Sequence, residues 1–231
     1  MNVTLVRHAT LLLETSVGRV LVDPMLRAAG TTPPIAGTPM PRPNPLVELP
    51  LAPEDVVAHV DLCVVTHLHD DHFDERARDL LPFDLPILTM PEHLVRLEAH
   101  GFTHVITDHP HFVLTPGRHG TGAVGEAMGA VCGFVIDDVY IAGDTIWYDD
   151  VRTALDTHRP RVVIVNAGAA QFTDSAPIVM TAEDVRKVRQ ATDARLVTVH
   201  LEAINHCVEP RELYRKIGGV LVPADGETLE L

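Results

Sequence analysis

Three histidines and two aspartates lie within six consecutive positions of the segment 66–74. This segment reads Thr-His-Leu-His-Asp-Asp-His-Phe-Asp and follows a short apolar run. Because residues i and i+2 of an extended chain point to the same side, His67 and His69 can bind one ion together. Asp71 and His72 follow where the chain turns, so they can face a second ion nearby. Imidazole and carboxylate ligands suit Zn²⁺, with Mn²⁺ and Fe²⁺ as alternatives.

Metal chemistry is what these residue types favour. Histidines and aspartates clustered at a strand end would be costly to bury without a cation, which argues against a coincidental polar cluster. Two divalent ions roughly 3.5–4 Å apart can share one water and lower its pKa, so that hydroxide attacks an electrophilic carbon or phosphorus. The chain has no Gly-x-Ser-x-Gly motif, so a serine nucleophile is not indicated.

The His-x-His-x-Asp-His motif resembles the signature of the metallo-β-lactamase superfamily. Other segments similar to that family are Val-Arg-His-Ala-Thr at 6–10, Leu-Val-Asp-Pro at 21–24, Arg-His-Gly at 118–120, Tyr-Ile-Ala-Gly-Asp-Thr at 140–145 and Val-His at 199–200. The pattern is most similar to ascorbate-phosphate lactonase-like and N-acylphosphatidylethanolamine phospholipase-like members. The resemblance implies an α+β fold, a four-layer αββα sandwich with its site at the strand ends.

The resemblance also implies a set of metal ligands. They are His67, His69 and His119 for a first ion, Asp71, His72 and His200 for a second, and Asp144 as a bridge between the two. His109 and His111 lie close to His119 in the sequence and are alternatives for its role. We assign catalytic roles to Asp71 and to His206, the latter as a substrate-binding or proton-relay group.

The predicted function is that of a dinuclear metal-dependent hydrolase of a small ester, lactone or phosphoester. It uses two divalent ions, zinc first, with manganese or iron as alternatives. A metal-binding sensor or interaction protein without turnover, on the same fold, is the main rival, and an iron-dependent redox enzyme is a lesser one. β-Lactam hydrolysis is disfavoured because the chain shows no export signal.

Several other residues are candidates for supporting roles. They are His8, Asp23, Glu202 and Asn205 near the ligands, Arg7, Arg118 and Arg152 as anion-binding groups, and Trp147, Tyr148 and Phe172 as pocket walls. For each one a plain structural role competes with the functional one. Asp23, before a proline, is expected to fix a turn by hydrogen bonding. Asp70 is expected to point into solvent.

Short β-branched runs and amphipathic segments predict a mixed strand and helix pattern. The predicted strands are 2–6, 11–14, 19–22, 62–66, 86–90, 104–107, 131–136, 139–142, 161–165 and 195–200. The predicted helices are 91–100, 181–191 and 209–216. Strands dominate the first part and helices mix in later, which is compatible with the layered α+β fold.

A proline-rich stretch breaks this pattern. Residues 33–53 contain eight prolines, a density that neither a helix nor a central strand tolerates. We predict a loop over about residues 30–53, which is either a plain surface excursion or a substrate-facing lid. No repeat or long linker divides the chain, so residues 1–231 are expected to form a single domain.

The charge balance limits the classes of partner. Asp and Glu number 32 against 18 Lys and Arg, so the formal net charge is −14 at pH 7. Nucleic acids and anionic membranes bind basic surfaces, so the expected partner is a small-molecule substrate, with a homo-oligomer left open. The three cysteines are widely spaced, and residues 3–22 are too interrupted by charge for a signal peptide, so we expect a cytoplasmic protein.

Overall fold

The computed structural model describes residues 1–231 and contains two β-sheets. The strands are β1 (Asn2–Arg7), β2 (Thr10–Thr15), β3 (Gly18–Val22), β4 (Leu62–Val64), β5 (Ile87–Leu88), β6 (Val105–Ile106), β7 (Phe112–Pro116), β8 (Cys132–Ile136), β9 (Val139–Ile141), β10 (Val162–Asn166), β11 (Arg195–Val199), β12 (Val220–Leu221) and β13 (Thr228–Glu230). The helices are α1 (Pro53–Val57), α2 (Glu75–Leu80), α3 (Pro91–Ala99), α4 (Gly122–Met128), α5 (Asp149–His158), α6 (Ala182–Ala191) and α7 (Arg211–Arg215).

Each sheet combines antiparallel and parallel strands. The seven-stranded sheet has the order β13-β1-β2-β3-β4-β5-β6, and the six-stranded sheet has the order β12-β11-β10-β9-β8-β7. Strands β3 to β6 run parallel, as do β9 to β12. Parallel strands end at a common edge, so the segments after them lie together.

The main core lies between the two sheets. Strand β10 shows how the sequence builds it, because successive side chains of a strand point to opposite faces. Val162 and Ile164 pack into the space between the sheets, whereas Val163 and Val165 pack on the other face, toward the helices. A strand buried on both faces is apolar throughout, which explains the continuous β-branched run.

Helices cover the outer face of each sheet. Val56 of α1, Ala77 of α2 and Leu97 of α3 pack against the seven-stranded sheet. Val151 of α5 and Val185 of α6 pack against the six-stranded sheet together with α7. The result is a four-layer αββα sandwich, which confirms the predicted α+β fold class.

The proline-rich stretch crosses the surface with little regular structure. Between Gly30 and Pro53 the only strand-like pairing is an isolated bridge between Thr32 and Asn44, and α1 begins at Pro53. The stretch is nevertheless hydrogen-bonded to the rest of the molecule through Arg7 and Asn205. No helix of the protein has the length and apolar character needed to cross a membrane.

Candidate metal centre

The candidate ligands lie at the carboxyl ends of strands from both sheets. His67 and Asp144 each follow a strand by three residues, β4 and β9 respectively, and His200 directly follows β11. Asp23 directly follows β3, and Asn166 is the last residue of β10. The parallel strand order therefore brings together residues that are far apart in the sequence.

The first group of candidate ligands is His67, His69 and His119. One nitrogen from each ring lies within 4.8 Å of the other two. His119 donates its Nδ1 hydrogen to the Ile178 carbonyl at 2.9 Å, which leaves Nε2 with a free lone pair. Burial lowers the pKa of His119 to about 4, so the ring is neutral at pH 7 and can bind a cation. His109 and His111 lie just before β7 and do not join this group.

The second group contains Asp71, His72 and His200, and His8 joins them. One ligand atom from each lies within 4.8 Å of the others, and all four residues are buried. The Nε2 atoms of His72 and His200 have no hydrogen-bond partner. Asp23 fixes the His72 ring, because its Oδ2 accepts the Nδ1 hydrogen at 2.8 Å. Buried and unpartnered nitrogens facing a carboxylate are the arrangement that a cation would complete.

Asp144 lies between the two groups. Its Oδ2 is 3.4 Å from His119 Nε2 and 4.0 Å from His67 Nε2 in the first group. The same oxygen is 3.3 Å from His72 Nε2 and 3.5 Å from His200 Nε2 in the second group. One carboxylate oxygen thus faces both sets of imidazoles, the position that a bridging ligand requires.

The backbone around the site adopts unusual conformations. Gly143 has φ +66°, and a Cβ on it would lie 2.3 Å from the Cys132 carbonyl oxygen, so only glycine allows the turn that aims Asp144 inward. His8, Asp23 and His200 have φ values of 61°, 44° and 66°. Left-handed conformations cost a non-glycine residue of order 1 kcal/mol and cluster at functional sites.

The charges in the site also suit a cation. Burial opposes ionisation of Asp144, but His200, His72 and His119 outweigh it and hold its pKa well below the usual range. Burial likewise lowers the pKa of His72, but Asp144, Asp23 and Asp71 outweigh it and raise that pKa to about 10. Buried carboxylates therefore stay ionised and draw positive charge toward them. Imidazole and carboxylate groups with no thiolate fit borderline-soft divalent metals.

Asn166 orients the bridging carboxylate. Its Nδ2 donates to Asp144 Oδ1 at 2.6 Å, which leaves Oδ2 directed at the histidines. We predict that Asn166→Ala lowers metal affinity or activity by roughly 10–100-fold, the usual effect of losing an outer hydrogen bond to a ligand. Isothermal titration with Zn²⁺ measures the affinity, and the exposed Asn2→Ala serves as the control. Unchanged affinity and activity in Asn166→Ala would contradict this role.

The chain that carries this site matches a known protein family. Residues 2–200 match the family model described as a beta-lactamase superfamily domain. The chain belongs to the beta-lactamase superfamily. It is 35% identical to the UPF0173 protein YddR of Bacillus subtilis, over 99% of each chain. It is 31% identical to a UPF0173 metal-dependent hydrolase of Methanosphaerula palustris, over 79% of this chain and 78% of the relative.

A solved structure shows the same superfamily fold. The isothiocyanate hydrolase from Delia radicum gut bacteria superposes with a TM-score of 0.93 at 34% identity, covering 100% of this chain and 99% of the other. The beta-lactamase superfamily resemblance is therefore confirmed, and the protein is a metal-dependent hydrolase. The narrower resemblance to lactonase-like and phospholipase-like members stays a prediction.

A cavity of about 500 Å³ opens beside the first group of candidate ligands, His67, His69 and His119. His69, Asp71, His119 and His206 line it on the metal side. The apolar residues that line it are Met25, Ile35, Leu68, Met128, Phe172, Ile178 and Ile204. The cavity thus combines an apolar part with polar and charged groups and ends on the candidate ligands, as a small-molecule site does.

His206 and Asp71, the residues predicted to be catalytic, face each other at the cavity wall. His206 Nε2 is 3.8 Å from Asp71 Oδ2 and has no hydrogen-bond partner. Asp71 Oδ2 also accepts from His8 Nε2 at 3.2 Å. Burial raises the pKa of Asp71, but His72 and His8 outweigh it and hold the pKa well below the usual range. This geometry is compatible with a proton-relay role for His206 and a ligand role for Asp71.

The three arginines proposed as anion-binding groups do not line the cavity, so that expectation is wrong. Arg7 is fully buried and donates to the carbonyls of Val47, Met25 and Arg27. Arg118 stacks on the Tyr148 ring, with 4.3 Å from Cζ to the ring centroid. Arg152 pairs with Asp156 on the surface. Two other arginines line the cavity instead, Arg27 and Arg96.

The other candidate residues divide between the site and the structural framework. Phe172 lines the cavity, whereas Trp147 and Tyr148 pack against the core under the six-stranded sheet. Glu202 accepts from the Arg211 backbone. Asp70 is exposed as expected, and it lies at the cavity edge.

Sequence reasoning missed the role of Asn166 and the cavity position of Arg27 and Arg96. One feature of the sequence could have indicated Asn166, because it is a polar residue that ends an otherwise apolar strand. No feature of the sequence indicated Arg27 and Arg96, because their approach to the cavity depends on how distant segments pack.

Proposed function

We propose that the protein is a dinuclear-metal hydrolase of a small electrophile that carries an apolar group. The observation that supports two ions is the position of Asp144 Oδ2, within 3.5 Å of His119 in one ligand group and of His72 and His200 in the other. The first ion would be held by His67, His69 and His119, and the second by Asp71, His72 and His200. Zinc suits this ligand set, and manganese and iron are alternatives.

The chain's own residues then define the reaction. Two divalent ions bound there would supply a hydroxide nucleophile near neutral pH and polarise the substrate. His206 lies at the cavity wall with an unpartnered Nε2, where it can pass a proton to a leaving nitrogen or oxygen. The apolar residues Ile35, Phe172 and Ile204 of the cavity would contact the other, apolar end of the substrate. The proposed partner is thus a small molecule.

Isothiocyanates are the lead substrates for this proposal, because the similar solved structure is that of an isothiocyanate hydrolase. Water adds to the central carbon, the carbon–nitrogen bond breaks, and the nitrogen takes up protons to give an amine and carbonyl sulfide. Small esters and lactones offer a comparable electrophilic carbon beside an apolar group. A phosphoester would need cationic contacts; Arg27 is already paired with Glu75, whereas Arg96 lines the cavity without an ion pair, so phosphoesters belong in the substrate panel.

The test combines a substrate panel with removal of the first ligand group. Zinc-, manganese- and iron-loaded protein is assayed with isothiocyanates, esters, lactones and phosphoesters. We predict that His67→Ala combined with His69→Ala loses bound metal and reduces hydrolysis to the buffer rate. The matched control is His104→Ala with His111→Ala, since both histidines are exposed.

Two outcomes would contradict the proposal. Full hydrolysis by the His67→Ala and His69→Ala double variant, or by metal-free protein, would exclude a metal-dependent reaction at this site. Metal-loaded protein with no turnover on the whole panel would favour the sensor or interaction protein instead.

A further inference from the structure

Asn205 fastens the proline-rich stretch to the cavity. The residue is fully buried, and its side-chain Oδ1 accepts from the backbone of Ile35 at 3.1 Å and from Asn44 Nδ2 at 2.7 Å. Its Nδ2 donates to the carbonyls of Met40 and Ile35 at 2.7 and 3.2 Å and to Thr38 Oγ1 at 2.5 Å. Asn44 Oδ1 accepts in return from the Asn205 backbone at 2.9 Å. One side chain therefore holds four positions of the stretch.

This anchor connects directly to the reaction site. The neighbours of Asn205 in the sequence are Ile204 and His206, and both line the cavity. On the other side of the anchor, Ile35 is bound by Asn205 at both its N–H and its carbonyl, and its side chain also lines the cavity. Ile35 packs with Phe172 and Ile204 in one apolar cluster. Asn205 therefore fixes Ile35 relative to His206.

The proline-rich stretch is fixed in place and forms one side of the cavity. Arg7 Nη1 adds a second buried anchor, since it donates to the Val47 carbonyl at 2.9 Å. Prolines restrict the backbone of the intervening residues and reduce the entropy that the anchors must overcome. Thr32, Pro33, Asn44 and Pro45 also line the cavity, so both ends of the stretch between 32 and 45 border the substrate space.

We infer that Ile35 is the specificity-determining residue and that Asn205 positions it, so that the enzyme selects substrates by the size of their apolar group. This inference rests on the proposed function and deepens it. The substrate's electrophilic end meets the ligand groups, and its alkyl or aryl group fills the space bounded by Ile35, Phe172 and Ile204. Each added methylene that becomes buried there raises kcat/KM about fourfold, until the wall is reached.

The first experiment measures the kcat/KM ratio of hexyl to methyl isothiocyanate and of the matching esters. Ile35→Trp is expected to lower this ratio at least tenfold, because the indole fills the end of the cavity. Ile35→Ala is expected to extend the preference to longer chains. Val113→Ala, an exposed position on the edge strand β7, is the control and keeps the wild-type ratio. An unchanged ratio in both Ile35 variants would overturn the inference.

A binding arm separates this inference from the proposed function. Titration of zinc-loaded protein with n-alkylhydroxamates is expected to show affinity that rises with chain length in the wild type and not in Ile35→Trp. This result without any turnover would leave the inference standing and the proposed function wrong. Turnover that does not depend on chain length would support the proposed function and overturn the inference about Ile35.

A hydrogen-exchange arm tests the anchor itself. Asn205→Ala is expected to speed amide exchange in residues 32–44 at least tenfold and to flatten the chain-length profile, with metal content unchanged. If residues 32–44 of the wild type already exchange at the rate of an unstructured peptide, the stretch is a mobile lid and the positioning role of Asn205 is overturned.

Discussion

Asp144→Asn is expected to lose at least one bound ion per chain and to reduce kcat/KM by more than the roughly 10–100-fold that follows loss of an outer hydrogen bond. The substitution keeps the shape of the side chain and removes its charge. Asp144 Oδ2 lies 3.3–3.5 Å from His72, His119 and His200, so its charge faces imidazoles of both ligand groups. Elemental analysis of the purified variant, with steady-state kinetics, measures both effects.

The matched control for this variant is Asp193→Asn. Asp193 is exposed and its side chain makes no hydrogen bond or ion pair, so its loss of charge alters nothing in the site. The control is expected to keep wild-type metal content and kinetics. Two ions and wild-type activity in Asp144→Asn would show that Asp144 is not shared between the ligand groups.

Asp23→Ala is expected to have the largest effect on stability. Asp23 is buried, and its carboxylate accepts from the Thr66 N–H at 2.8 Å, from Thr66 Oγ1 at 2.7 Å and from His72 Nδ1 at 2.8 Å. Alanine leaves these buried donors unpaired, at about 1–3 kcal/mol for each donor. We therefore expect the free energy of unfolding to fall by at least about 3 kcal/mol, and zinc affinity to fall because His72 is no longer oriented.

Urea unfolding of the metal-free protein measures the first effect, and zinc titration measures the second. Asp138→Ala is the control, because Asp138 is exposed and its side-chain contact is a surface ion pair with Arg161 at 3.7 Å. Such pairs contribute at most about 1 kcal/mol. Equal stabilities for Asp23→Ala and Asp138→Ala would contradict the structural account of Asp23.

The ligands from His67 to His72 were predictable from local spacing in the sequence, whereas His119, Asp144 and His200 were assigned through the family resemblance. The motif from His67 to His72 follows a strand, and strand period places His67 and His69 together before any fold is known. Gly143 before Asp144 is another local feature, because its φ of +66° permits the turn that aims the carboxylate inward. The four-layer fold came from the family resemblance, since strand and helix patterns alone fit many layered folds.

The features that the sequence did not predict depend on contacts between distant residues. Asn205 contacts residues 35–44, which precede it by 161 to 170 positions, so nothing local indicates its anchoring role. Arg7 shows the same effect, because an arginine beside the candidate residue His8 suggests anion binding, whereas packing buries it against three carbonyls. Helix α5 was missed because its buried residues are only Val151, Ala154 and Leu155, a weak apolar pattern.

Anomalous diffraction from crystals of zinc-loaded protein, collected at the zinc edge, tests the dinuclear centre most directly. We predict two peaks per chain on either side of Asp144, one beside His67, His69 and His119 and the other beside Asp71, His72 and His200. A single peak, or peaks away from these residues, would show that the site is not a dinuclear centre bridged by Asp144.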